Sequence, residues 1–339
     1  MSTLQLSGLR GHHPLGFLAA CGLLRVTGKV LEARLGWKSC CDNDRIWVAC
    51  IQSDSGNTPD ELEARLVSAV ADSAASFLTS LDESGLAEAE TPVDDFRKIG
   101  SKAIDTRSEA GDKEDISPLA ASIGSDLVTR RKQTGKHKGK IVIDTSHFAL
   151  TSGQQDLVPG MRKPAEKLAK RSKKGEIPAK VHDKIKEALI GPWLYRDEEH
   201  SLGWDPQVQR LHALWNKAPT NDDQNRSVQA AVFLASQALP LFPCFAVAGT
   251  LRTTGFHRDG GDDWFAWPIW REPISLDTLR SLIAHPFSRD LKRRGVEVVY
   301  RCRRAHTGSE KGAYHVFGNA EERAWPNRQA AMSPGRHLL

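Results

Sequence analysis

Three short stretches carry side chains able to move protons or hold a metal. They are His12 and His13 immediately before Pro14, the run Asp144-Thr-Ser-His147, and the run His200-Ser-Leu-Gly-Trp-Asp205. An imidazole beside a carboxylate is the minimal acid–base unit, and the same atoms suit a divalent cation. None of the three has the spacing of a nuclease, hydrolase or zinc-protease signature, and the chain has no Walker loop, G-x-S-x-G, H-E-x-x-H or GxGxxG. Adjacent histidines rarely reach one metal together. Ahead of a helix start, where backbone N–H groups carry partial positive charge, His12 and His13 can instead meet an anion, or cap and pack the helix. Enzyme chemistry is therefore the weaker reading; its form would be a metal-dependent nuclease acting on RNA or DNA through His147, Asp144, or His200 with Asp205. No cofactor and no resident metal is implied.

Cations are the stronger candidates. Residues 54–126 hold 17 acidic against 6 basic side chains, and residues 126–186 hold 16 basic against 6 acidic, a reversal that the net charge of +5 hides. Two basic clusters stand out: Arg130, Arg131 and Lys132 with Lys136, Lys138 and Lys140, then Lys170, Arg171, Lys173 and Lys174 beside Lys167. Arg293, Arg294, Arg301 and Arg303 form a later one. Binding a phosphate backbone needs little more than cations along a groove, so these residues point to nucleic acid. Trp193, Tyr195, Trp204 and Trp215 lie among Arg196 and Arg210, a mixture suited to stacking on unpaired bases. Core packing is the ordinary role of tryptophan and is expected of Trp264, Trp267 and Trp270. Residues 150–155 form a glycine-containing polar turn whose N–H groups can accept a phosphate. The acidic stretch repels nucleic acid; it is a solvated face or, in a third reading, the working surface of a protein–protein adaptor.

The elements that must position these groups follow from periodicity. Pro14 suits a first helical residue, and Phe17, Leu18, Cys21 and Leu24 share one face of a helix that continues to about residue 35. Ala19, Ala20 and Gly22 leave its other surface slim enough for a second backbone to lie close. Residues 45–51 read as a strand. Thr58, Pro59 and Glu61 form a capped helix start, and residues 82–116 read as a long loop. Residues 141–143 and 148–150 read as short strands, 182–189 and 228–239 as helices, and 241–248 as a core strand. A hairpin joins residues 251–256 to 264–270, Ser275 caps a helix to residue 283, and 296–300 is a strand.

The class that results is α+β (mixed α/β): a buried N-terminal helix packed with short strands, hairpins and helical segments, with a long loop insertion. We divide the chain into an N-terminal α+β part (1–125) carrying the acidic insertion (about 54–126), a basic, Trp-rich α+β part (126–320), and a tail (321–339). No stretch approaches the ~18 apolar residues of a membrane span. Residues 18–21 look like a lipoprotein cleavage box, but His12, His13 and Pro14 interrupt the apolar region that such a signal needs. The six cysteines (Cys21, Cys40, Cys41, Cys50, Cys244 and Cys302) show no C-x-x-C pair and read as reduced thiols of a cytoplasmic protein.

Residues 11–25, Gly-His-His-Pro-Leu-Gly-Phe-Leu-Ala-Ala-Cys-Gly-Leu-Leu-Arg, resemble the start of accessory and large-subunit proteins of type I CRISPR systems of the I-G (formerly I-U) group. Three later features are similar too: Leu-Pro-Leu-Phe-Pro at 239–243, Leu-Arg-Thr-Thr-Gly-Phe at 251–256, and Trp-Pro-Ile-Trp at 267–270 followed by a Leu-x-x-Leu-Arg helix. The likeness consists of scattered motifs between residues 8 and 283, and the acidic stretch lies outside it. It implies a cytoplasmic prokaryotic antiviral-defence protein, part of a ribonucleoprotein that binds crRNA, target DNA or both. Its expected partners are other effector subunits and the helicase-nuclease, with no membrane. Large subunits of this kind do not cut, and no catalytic residue carries over. The chain is short for a full large subunit, which leaves a short version and a separate accessory protein as alternatives.

Overall fold

Strand β1 (Ser2–Arg10) pairs antiparallel with β3 (Trp47–Ser53), which also pairs with β2 (Arg34–Ser39), giving a three-stranded sheet in the order β1-β3-β2. The structure is a computed structural model that describes residues 2–28, 30–39, 46–55, 58–109 (of 103–109 the backbone alone), 116–150, 156–208, 226–285, 288, 290–307 and 314–323. Cys40, Cys41, the polar turn at 151–155, Arg210, Trp215 and the tail from residue 324 lie outside these residues.

Helix α1 (Pro14–Thr27) starts at Pro14 as its sequence requires and is buried along nearly its whole length. It does not run on to residue 35. Leu35 and Trp37 are wholly buried in β2, where Trp37 stacks on Phe17 at 6.1 Å, so burial in the sheet wins over helix continuation. Helix α2 (Pro59–Ser84) has the expected cap, Thr58 Oγ1 accepting the Glu61 N–H at 3.2 Å, and stops at Gly85. The loop expected over 82–116 is corrected: residues 93–109 form helix α3 (Val93–Glu109). Asp94 and Asp95 sit at its positive N-terminal end, and Val93, Phe96 and Ile99 turn a narrow apolar edge to the core.

Helix α4 (Ser117–Ile123) leads into the hairpin of β4 (Gly124–Arg131) and β5 (Ile141–Thr145). Residues 148–150 form no strand: their backbone bonds close locally, Ala149 N–H to Ser146 O and Leu150 N–H to Phe148 O, and Phe148 is wholly buried among Phe242, Phe256, Phe265 and Phe317. Helices α5 (Leu157–Leu168) and α6 (Ala179–Ile190) follow, then α7 (Gln229–Ala238), the main partner of α1. A Cβ placed on Gly22 would run into the Leu234 carbonyl of α7, so the two backbones approach as closely as the small residues of α1 allow.

The core strand expected over 241–248 is instead β6 (Cys244–Val247), a two-stranded ribbon with β7 (Thr250–Thr253). Phe245 and Val247 are 48% and 46% exposed there. The ribbon turns after Val247 at Ala248 and Gly249, leaving β6 with β7 as its strand partner. The second large sheet runs β11-β10-β9-β8, with β12 on β10: β8 (Phe256–Asp259), β9 (Asp262–Trp270), β10 (Val296–Thr307), β11 (Tyr314–Phe317) and β12 (Glu321–Glu322). Its tight hairpin joins β8 to β9 through Gly260 and Gly261, both at positive φ. Helix α8 (Leu276–Ile283) is capped by Ser275 as expected. Trp267 and Trp270 are buried, whereas Trp264 is partly exposed beneath the Arg301 guanidinium at 4.3 Å. The fold is mixed α+β, with one apolar core running from Leu6 to Phe317. Among the described residues no helix is long and apolar enough to cross a membrane.

Candidate nucleic-acid interface and the histidine cleft

The basic clusters divide into cations held by carboxylates of the same chain and cations that face solvent. Arg130 and Lys132 both grip Glu90, while Lys136 and His137 both reach Glu88, at 3.0 and 2.6 Å. Burial alone would raise these two carboxyls, but the bonds to His137 and Lys136 and to Lys132 and Arg130 hold them below the ordinary carboxylate range. Arg171 pairs with Asp72 at 2.6 Å. Arg301 bridges Asp259 and Glu321, Arg303 meets Asp262 at 2.7 Å, and Arg293 meets Asp290 at 3.9 Å. Part of the acidic stretch therefore serves to neutralise the basic one, and the arginines of β10 brace the β8–β9 turn.

Arg131, Lys138 and Lys140 on the β4–β5 hairpin, Lys170, Lys173 and Lys174 after α5, and Arg294 have no carboxylate partner among the described residues. The densest group is on α5 and α6. Leu157, Val158, Met161, Pro164, Ala165 and Leu168 bury one face of α5, and Val181, Ile185, Ala188 and Leu189 bury one face of α6. This geometry puts Lys163 and Lys167 on the outer surface of the first, with Lys170 just past its end, and Lys180 and Lys184 on that of the second. Lys167 and Lys184 reach Glu199 and Asp197 respectively. Partial burial lowers both ammoniums, and repulsion from Lys170, Lys180 and Lys163 adds to it at Lys167, as repulsion from Lys167 and Lys180 does at Lys184. Lys163 and Lys180 were not singled out by sequence; their signal is the i, i+4 spacing with Lys167 and Lys184.

The His12–His13 loop is fixed from both sheets. Trp267 Nε1 donates to the Gly11 carbonyl at 2.8 Å, and the Gly11 N–H donates to Trp47 O at 2.8 Å. His13 caps α1, its Nδ1 accepting the Gly16 N–H at 3.3 Å. Its Nε2 lies 3.2 Å from Asp205 Oδ1, misaligned for a hydrogen bond, and both residues are buried. Asp205 Oδ1 accepts the Gln207 N–H at 2.8 Å, and burial together with Asp205 pushes the Tyr195 phenol up. Arg10, His12, His13, Trp193, Tyr195 and Gln207 line a cleft of about 370 Å³. Burial, then His13 and Arg10, lower His12 to about 4, so it is neutral at pH 7. Of the two histidines, His12 is the one with an imidazole free of a capping role.

The acid–base pairs drawn from sequence exchange partners. His200 Nδ1 accepts the Leu202 N–H within its own turn, and Asp205 goes to His13. His147 bonds through Nδ1 to the buried Thr253 Oγ1 at 2.9 Å, and its Nε2 faces Asp263 at 3.8 Å. Asp144 faces Arg130 Nε at 3.7 Å. Burial chiefly lowers His147, and it lowers His315 to about 4, with repulsion from Arg304 adding to both. Among the described residues no group of three or more His, Cys, Asp or Glu side chains is placed to hold a metal ion. Thr253 and Asp263 were not read as partners of His147 because no local motif joins β7 and β9 to it. Compared with protein-family models, with curated proteins and with solved structures, the chain matches none of them.

Proposed function

We propose that the chain binds nucleic acid without cutting it, through phosphates seated on the lysine surface of α5, the 169–178 loop and α6. The observation that supports this is the crowding of Lys163, Lys167, Lys170, Lys180 and Lys184, where mutual repulsion adds to burial in lowering the Lys167 and Lys184 ammoniums. Like charges held this close weaken the fold unless a polyanion neutralises them, and a phosphate backbone does so while releasing its counterions. Arg131, Lys138 and Lys140 supply a second, unneutralised group. The resemblance of residues 11–25, 239–243, 251–256 and 267–270 to the I-G group extends the proposal to a cytoplasmic subunit or accessory protein of an RNA-guided defence complex, with crRNA or target DNA as ligand and other effector subunits as partners.

The test is the salt dependence of binding to labelled RNA and DNA. Lys170→Glu with Lys174→Glu should weaken binding about tenfold or more and reduce the slope of log K against log salt by about 1–2, since each phosphate contact contributes about 0.7–0.9. Unchanged affinity and slope would remove the proposal.

A further inference from the structure

We infer that the cleft between the end of β1, the His12–His13 loop and residues 192–195 receives one unpaired nucleotide of the strand bound on the α5–α6 lysines. This inference rests on the proposed phosphate-binding role. The cleft, at about 370 Å³, lies at the small end of ligand-sized cavities, which run from about 300 to 1,000 Å³. It is large enough for a single ring system and too small for a paired one.

Its walls match the parts of a nucleotide. Trp193 and Tyr195 offer aromatic surface, their rings set edge to face 6.3 Å apart, and every base has a π-face to lay against such a surface. Arg10 is exposed at the rim with no ion-pair partner among the described residues, and a guanidinium is the side chain best shaped for a phosphate. The Gln207 amide can donate and accept along a base edge. His12 lines the cleft as well, and its Nδ1 has no hydrogen-bond partner.

The segment that lines the cleft also reaches the lysines. The chain leaves it through Trp193 and Tyr195, and two residues further on Asp197 meets Lys184, then Glu199 meets Lys167. Six residues of extended chain span at most about 20 Å, so a strand following this segment reaches both surfaces at once. Asp197 and Glu199 occupy the lysines nearest the cleft, which leaves Lys163, Lys170 and Lys180 for the incoming phosphates.

The experiment titrates a labelled ten-nucleotide unpaired RNA, and the same sequence as a duplex, into the native chain, Arg10→Gln, Gln207→Ala and the Lys170→Glu/Lys174→Glu variant, reading fluorescence anisotropy. Both cleft variants alter partly or fully exposed side chains and should keep the native thermal midpoint. Arg10→Gln is expected to weaken binding of the unpaired strand about tenfold and to leave the duplex unchanged, because a paired base cannot enter. Gln207→Ala should act in the same direction and less, and the lysine variant should weaken both forms. No loss on the unpaired strand in either cleft variant, or equal loss on strand and duplex, overturns the cleft assignment. Loss in the lysine variant alone would then leave the phosphate surface standing, and no binding in any arm would overturn both.

Discussion

His13 Nε2 stands 3.2 Å from Asp205 Oδ1 while His13 Nδ1 caps α1, so one imidazole ties the first turn of the central helix to a carboxylate from the far half of the chain. Asp205 is 1% exposed and also accepts the Gln207 N–H. Asp205→Ala strips a buried group of several partners at once and is expected to cost about 2–4 kcal/mol in urea unfolding. His13→Asn separates the two roles of the ring. Asparagine is as good a cap as any, so that variant should lose only what the Asp205 contact contributes, about 1 kcal/mol, whereas His13→Ala loses the cap as well. Equal stabilities of His13→Asn and His13→Ala would refute the capping role.

The α1–α7 contact sets a second expectation. Gly22→Ala adds one methyl where the Leu234 carbonyl already lies, and backbone, unlike a side-chain tip, cannot swing away. Overpacking of this kind costs about 1–3 kcal/mol and often more. The variant should unfold at markedly lower urea, whereas alanine at Gly100, where no atom lies within reach of a Cβ, should be neutral or slightly stabilising because its helix tolerates a methyl.

What sequence discloses depends on whether the deciding forces are local. Pro14, the Thr58 cap and the Ser275 cap act within four residues, and each helix start forms where its signal lies. The slim surface of α1 was legible too, although not its partner. By contrast, residues 28–35 lose their helical continuation to a sheet that needs β3 some twelve residues later, and α3 has too few apolar residues to announce itself without the core it leans on. Helix α5 hides behind Pro164, which helix rules read as a breaker. At the candidate sites, charge runs were visible but their neutralisation was not, since Glu88 and Glu90 meet Lys136 and Arg130 across forty residues or more. The cleft drew His12 and His13 from one motif and Trp193 and Tyr195 from another, while Asp205 stands behind His13.

Acid should expose the buried imidazoles. His12 and His315 have folded values near 4 against an unfolded value of 6.5, and His147 is lowered as well. Between about pH 6.5 and 4 the unfolded chain takes up protons that the folded chain does not, so stability falls as pH falls across that window and is fully regained above it. Asp156, raised chiefly by burial, works the opposite way at lower pH, and Glu88 and Glu90, lowered overall, add to the loss below about 4.5. The thermal midpoint should therefore drop from pH 7 to pH 4.5, and His12→Asn should flatten the drop. A midpoint constant across that range would contradict the burial of these rings.

Charge reversal on the β4–β5 hairpin distinguishes a binding surface from a structural one. Arg130 and Lys132 both hold Glu90, so Arg130→Glu sets two carboxylates face to face and should lower the thermal midpoint whatever it does to binding. Arg131, Lys138 and Lys140 are exposed and paired with no carboxylate among the described residues. Reversing these three together should keep the midpoint within a few degrees, because exposed charges contribute little to stability. Nucleic-acid affinity should nonetheless fall, and the salt slope shrink by about 2–3 if all three meet phosphates. If the triple variant binds as the native chain does while the Lys170→Glu/Lys174→Glu pair does not, the hairpin lies off the strand's path and the α5–α6 surface alone carries it.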